Sequence, residues 1–334
     1  MILVIGEALI DLIENRYQAG AFNAIVGGAN ANVAIALARR GTPQQFLARI
    51  ASDRFGGIIR KRLTDNGVGL DYAVSADELS TLAVVSIDSQ GVPNYSFYVN
   101  GTADWGWTPQ ELPTAAQIEA LGATAIQFGC LTMAMQPGNE IIEAWARRHF
   151  EANSLSISHD INMRPALGFD SETERLRVER VNGISHLIKA SDEDIEWLYS
   201  LDSGSDEAQK RIDEIVAEWI GDTAKLVFVT RGGDGVSIYR KSPDGSIQRS
   251  DVASRKINVV DTVGAGDTFC ANLLGQLQDS GSLGTNPFDR FSQISDATLQ
   301  EYVRVAGVAA SIACERAGAE PPTKSDLDAV LATL

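Results

Sequence analysis

Residues 257–281 read INVVDTVGAGDTFCANLLGQLQDSG, a β-branched run that enters a glycine turn and leaves it as a helix. Phe269, Leu273, Leu274 and Leu277 recur at the spacing of one helix face, and Ile257 to Val260 read as a short strand leading into the turn. Gly264 and Gly266 allow a tight turn at the helix start. The unpaired amides there, together with the positive end of the helix dipole, make an anion site suited to a phosphoryl group.

Asp267 stands out in that setting, because a carboxylate beside an anion site repels the anion. Two readings follow. It accepts a proton from a hydroxyl that attacks the bound group, or it is a first-turn aspartate that only complements the helix dipole. Two other phosphate devices are excluded. A dinucleotide fingerprint needs a third glycine where the chain has Phe269, and no GxxxxGK followed by Ser or Thr occurs.

Outward from this turn the same alternation recurs. MILVIGEALI, AIQFG, LSISHDIN, HLIKAS and KLVFVTRGG are short apolar or β-branched runs, separated by helix-period stretches such as NVAIALARRG and EIIEAWARRHF. This predicts a mostly parallel sheet with helices on both faces, with Ile2 to Ile13 as its first strand. TLAVVSID (81–88) and YSFYV (95–99) flank the turn-like SQGVPN with no helix between them and read as an antiparallel hairpin. With residues 12–26 the hairpin is expected to form a small sheet over the site. The acidic stretch DSGSDEAQK (202–210) reads as a solvated connection.

Composition sets the outer bounds. The 334 residues are 44% hydrophobic and 22% charged, ordinary for a globular chain with a large core. A formal net charge of −16 argues against nucleic-acid binding, so a phosphate-bearing ligand must be met by local donors. Cys130, Cys270 and Cys314 form no CxxC pair and indicate neither a disulfide framework nor a zinc site, which fits a cytoplasmic protein. No segment reads as a membrane span. His149, His159 and His186 share no spacing that suggests a metal or a triad, and structural roles are expected for them.

GGANANVA places Gly27 and Gly28 before a helix, with the Asn30 and Asn32 amides facing whatever lies above its start. Side-chain amides suit a polyhydroxy ligand, although an ordinary helix cap explains them too.

DTVGAGDTF resembles the C-terminal signature of the ribokinase-like (PfkB-type) carbohydrate kinases, and GGANANVA is similar to their N-terminal signature. The resemblance runs from Met1 to about Gly318. It implies a three-layer α/β/α fold and an ATP-dependent sugar kinase in one domain over residues 1–334, with a small β-sheet lid of about 12–26 and 80–104. It implies that Asp267 is the base and that Gly264, Ala265 and Gly266 hold the transferred phosphoryl group. Asp11, Gly27, Gly28, Asn32, Phe97 and Arg164 fall to the sugar. DINMRPALG is similar to the DxNxR segment of fructokinases and 2-keto-3-deoxygluconate kinases, giving Asp160, Asn162 and Arg164. Asn162, Ser191, Thr230, Gly232 and Gly235 fall to ATP, the last three in TRGGDG, where a plain hairpin turn would also explain the glycines.

SDED stands where relatives carry NxxE, so Asp194 would position Mg²⁺ through water, with Glu193 as a neighbour. Asp261 would serve a monovalent cation such as K⁺. FYVNGTAD resembles the fructokinase stretch FYRxGTAD. Val99 replaces an Arg found in kinases of acidic sugars, which disfavours 2-keto-3-deoxygluconate, since a buried carboxylate without a partner is costly. Fructose is the expected substrate. 2-Keto-3-deoxygluconate, ribose, a nucleoside or another neutral sugar, and a catalytically silent sugar-binding protein on this fold, are the alternatives. The resemblance also implies a homodimer formed through the small sheet.

Overall fold

The computed structural model describes the chain except residues 16, 19, 88–92 and 243, with the side chains of Ile87 and 93–95 also left aside. Eight strands form the main sheet. Gln44–Leu47, Ile2–Ile5, Ala125–Gly129, Ser156–Asp160, Leu187–Ser191 and Leu226–Thr230 lie side by side and parallel. Val236–Lys241 and Ile247–Val252 complete one edge antiparallel.

The apolar runs are continuous because both faces of the sheet are covered. Ile2, Val4, Phe46 and Phe228 pack on one side with residues of the helices Ala29–Arg40, Ala265–Asp279 and Asp296–Cys314. Leu3, Ile5, Ile126 and Phe128 point the other way, onto the helix Gly138–Glu151, and Ile188 and Val227 onto the helix Asp206–Ile220. The expected mostly parallel sheet between two helical layers is what the chain builds. Phe269, Leu273, Leu274 and Leu277 are all buried, so the helix face read from their spacing is the one that meets the core.

A second, four-stranded sheet has the order Phe22–Gly27, Leu9–Glu14, Leu82–Ile87, Pro93–Tyr98. The hairpin expected in 81–99 forms, with Leu82–Ile87 antiparallel to Pro93–Tyr98; residues 89–92 of its turn lie outside the described residues.

Three expectations are corrected. Ile2 to Ile13 is not one strand: it breaks at Gly6, where a Cβ would lie 2.3 Å from the Asn30 amide nitrogen, and resumes at Leu9 in the small sheet. Ile257–Val260 is not a strand; it runs without a ladder partner, and Val259 and Val260 are about 60% exposed. The acidic stretch is a connection only up to Ser205, whose hydroxyl accepts from the Ala208 amide and caps the helix Asp206–Ile220. Two carboxylates in the first turn, Asp206 and Glu207, are favourable for the dipole, which composition alone had read as solvation.

Candidate active site

Parallel strands end together, and in open α/β sheets their carboxyl ends surround the ligand crevice. Glu7, Cys130, Asp160, Ser191 and Thr230 stand at or just beyond five such ends. Two helices point their N-termini at the same place. The helix Ala29–Arg40 starts from Gly28, and the helix Ala265–Asp279 from Gly264, which holds a left-handed φ of 76°.

The two starts are tied at Asp267. Its Oδ2 accepts from Asn32 Nδ2 at 2.8 Å and its Oδ1 from Asn162 Nδ2 at 3.4 Å. Asp267 is buried, and burial raises its carboxyl to about 6; the Asn32 hydrogen bond opposes that, Asp160 adds to it, and Lys189 and Arg164 pull it back down. A carboxylate poised near neutrality and fixed by two amide donors is equipped to take up a proton. A purely dipole-complementing aspartate would have no use for either asparagine.

Asn162 joins this group through its side chain. It sits at a positive φ of 43°, and its side-chain oxygen accepts from Arg164 while its nitrogen reaches Asp267. Arg164 is exposed. Gly264, Ala265 and Gly266 form the turn above, and a Cβ at Gly264 would come within 2.8 Å of Ala319 Cβ, so only glycine allows the C-terminal segment to close on it.

Asp11, on the small sheet, lies against Gly27, where a Cβ would sit 2.3 Å from its Oδ2. Burial raises the Asp11 carboxyl to about 6, with Arg164 opposing. Phe97 packs on an apolar floor that includes Leu9, Ala83, Trp105 and Cys130. Val99 is buried, and its carbonyl accepts from Thr102 and from the Trp105 indole.

Asn30 does not face a ligand. Its amide donates both hydrogens inward, to Glu7 Oε2 at 2.9 Å and to the Gly129 carbonyl at 3.1 Å. Asp194 is likewise committed: its Oδ1 accepts from the Met163 amide at 2.7 Å and its Oδ2 from the Ser191 amide at 2.8 Å. Glu193, beside it, is exposed.

Ser191 caps the helix Asp192–Tyr199, and Thr230 donates to the Ala190 carbonyl. Gly232 and Gly235 both carry positive φ, and a Cβ at Gly235 would collide with the Val252 carbonyl at 2.0 Å. Beside this turn opens a cavity of about 290 Å³ lined by Gly235, Val236, Ser254, Val303, Gly307 and Val308 among others. Asp261 joins two distant segments, accepting from the Val263 amide at 3.0 Å and the Gly318 amide at 2.8 Å.

The histidines serve the scaffold. His159 bonds Asn182, His186 accepts from the Ile157 amide, and His149 bonds Ser154. Burial lowers His159 and His186 to about 3, so both are neutral.

Sequence reasoning missed Glu7, Asp104 and Lys189. Glu7 is fully buried and also accepts from Thr132. Asp104 accepts from the Ala8 amide at 2.9 Å and from Thr81, joining the base of the small sheet to the first strand's exit. The available signal was the same for Glu7 and Lys189, a charge set at or inside an otherwise apolar parallel strand.

The pattern of the pfkB family carbohydrate kinases matches residues 1–326. The chain belongs to that family. It is 36% identical over 280 residues to a fructokinase of Rhizobium leguminosarum bv. trifolii, covering 83% of this chain and 80% of that one. Identity to fructokinase-1 of Oryza sativa subsp. japonica is 30% over 336 residues, 98% of this chain and 96% of that one. Among solved structures, a fructokinase of Xylella fastidiosa with bound ATP superposes with a TM-score of 0.84 at 26% identity, covering 99% of this chain and 98% of that one. The ribokinase-like fold is therefore shown, and with it a sugar kinase of the fructokinase type. Among the described residues no helix is long and apolar enough to cross a membrane.

Proposed function

We propose that this chain transfers the γ-phosphate of ATP to a hydroxyl of fructose, forming fructose 6-phosphate, with Asp267 as the base. The observation that carries this reading is the Asn32–Asp267–Asn162 group at the N-terminus of the helix Ala265–Asp279. Asp267 accepts the hydroxyl proton as the sugar oxygen attacks, and the Gly264–Gly266 amides take up charge on the transferred group. The sugar is held by Asp11, Asn32, Arg164 and the Gly27–Gly28 backbone, with Phe97 beneath it. The cavity beside Gly235 receives the nucleoside, with Ser191, Thr230 and Gly232 toward its phosphates. A neutral sugar is supported by Val99, which provides no cation for an acidic one.

Residues 1–334 act as one kinase domain in this reading, with the four-stranded sheet as a lid. Mg²⁺ supplies charge neutralisation between phosphates, and it commonly binds through the phosphates and retained waters rather than a protein cage. Asp194 fits only that indirect role, since each of its oxygens already accepts one backbone amide. Asp261 and the segment near Gly318 would hold K⁺.

The test is ADP release with Mg-ATP against fructose, ribose, 2-keto-3-deoxygluconate, adenosine and glucose, with and without K⁺. Fructose-dependent turnover is the expected result. Turnover with another member of the panel would overturn the choice of sugar and retain Asp267; none with any would overturn the kinase reading of the site.

The face of the lid opposite Asp11 and Phe97 exposes Phe22 and Tyr98. We assign it to contact with a second copy, because an edge of exposed apolar strand otherwise invites indiscriminate pairing. Sedimentation at micromolar concentration should give a dimer that Tyr98→Lys converts to monomer; a monomeric unsubstituted chain would rule the contact out.

A further inference from the structure

Lys189 is buried in the middle of the main sheet, in a strand that is otherwise apolar until Ser191. Its Nζ lies 2.9 and 3.0 Å from the two oxygens of Asp160 on the neighbouring parallel strand. Each side chain is only 5% exposed. Burial works against both charges, raising Asp160 and opposing protonation of Lys189. The ammonium placed between both carboxylate oxygens prevails, so Lys189 holds its proton more tightly than usual. A buried pair of this kind is seldom worth more to stability than apolar residues of the same volume, so its presence calls for another explanation.

Its position supplies one. A Cβ built at Gly266 would lie 3.1 Å from Lys189 Nζ, so the ammonium backs directly onto the glycine turn. The groups that face Asp267 are Asp160 and Lys189 from the two strands, Asn162 and Arg164 from the following loop, and Asn32 from the first helix. The Cys130 thiol and, on its own helix, the Cys270 thiol face it too, and the Asp194 carboxylate acts on both Asp160 and Lys189. Burial pushes both thiols up, which keeps them neutral.

We propose that Asp160 and Lys189 are positioning residues of the phosphoryl transfer: the pair props the Gly264–Gly266 turn and presents Asp267 with two opposed charges whose balance sets when it accepts a proton. The inference rests on Asp267 being the base. Neither member touches substrate. Removing one charge leaves the other acting on Asp267 alone; removing both restores the balance.

The experiment is the acid limb of the kcat/KM profile, which reports ionisation in the free enzyme. Asp160→Asn leaves an unopposed ammonium and should move the limb down by about one pH unit, the size a neighbouring charge produces. Lys189→Met leaves two buried carboxylates together and should move it up, and Asp160→Asn/Lys189→Met should return it close to the original position. Near-ultraviolet circular dichroism establishes that each variant is folded; Lys189→Gln, with the same upward shift expected, replaces Lys189→Met if that one is not. Single variants that leave the limb in place, or that move it in the same direction, would overturn the proposal. Near-normal kcat in Asp267→Asn would instead remove the base itself, so the two failures are told apart.

Discussion

Asp267→Asn is expected to lower kcat by about 10²–10⁴-fold, the usual worth of a general base, while fructose still binds. The reason lies in which contacts survive. Asn can keep the oxygen that accepts from Asn32 Nδ2 at 2.8 Å, so the two helix starts stay joined, but it has no lone pair basic enough to take the hydroxyl proton. The pH profile carries the same information. Burial raises the Asp267 carboxyl to about 6, and only the ionised form accepts a proton. The rate of the unsubstituted enzyme should therefore fall as pH drops through about 6, and the residual rate of the variant should show no such limb. Single-turnover kinetics with fructose binding measured by calorimetry checks both parts; kcat within a fewfold of the starting enzyme would remove Asp267 from the mechanism.

Gly28→Ala should be the most damaging conservative change at the other helix start. Gly28 has a φ of 106°, which an L side chain rarely adopts, and the added Cβ would stand 2.6 Å from the Glu7 carbonyl oxygen. Backbone conformations of this kind cost about 1–3 kcal/mol when forced on a non-glycine residue, and the contact with Glu7 adds to that. Neither atom in the clash is the end of a flexible side chain, so the helix Ala29–Arg40 must shift and carry Asn32 away from Asp267. Urea denaturation should show the loss of stability and steady-state assays a lower kcat. Unchanged stability would mean that the crossing at Glu7 yields more easily than its geometry indicates.

Much of this was legible in the sequence, and the reasons differ from place to place. The helix that carries Asp267 was readable because Phe269, Leu273, Leu274 and Leu277 obey one period and one burial. The parallel sheet was readable because its strands are apolar on both faces. The strand assigned to Ile257–Val260 failed because β-branched residues describe extended backbone, and only a neighbouring strand with free hydrogen-bonding groups makes that a ladder. The break at Gly6 had only the glycine itself to mark it; it is required by Asn30, which arrives from the helix Ala29–Arg40. Asn30 and Asn32 are two residues apart in the same motif, yet one faces inward to Glu7 and the other reaches Asp267. The Glu7 carboxylate and the Gly129 carbonyl decide that, and no spacing records them. The cavity beside Gly235 draws its walls from strands near residues 236 and 252 and from the helix Asp296–Cys314, too scattered to be seen before folding.

The joining of Asn32 to Asp267 spans 235 residues of chain, and Asp261 is tied to Gly318 from beyond it. At about 5–20 residues per second a ribosome delivers these pieces tens of seconds apart, with the proposed proton acceptor and its supporting segment emerging well after Asn32. Sheet and helices from the first half can pack early, because their contacts are already available. The reacting geometry cannot. Turnover thus requires the chain to have been made as far as Gly318 and threaded into place, because a product cut short of it, however compact, lacks the assembled Asn32–Asp267 geometry.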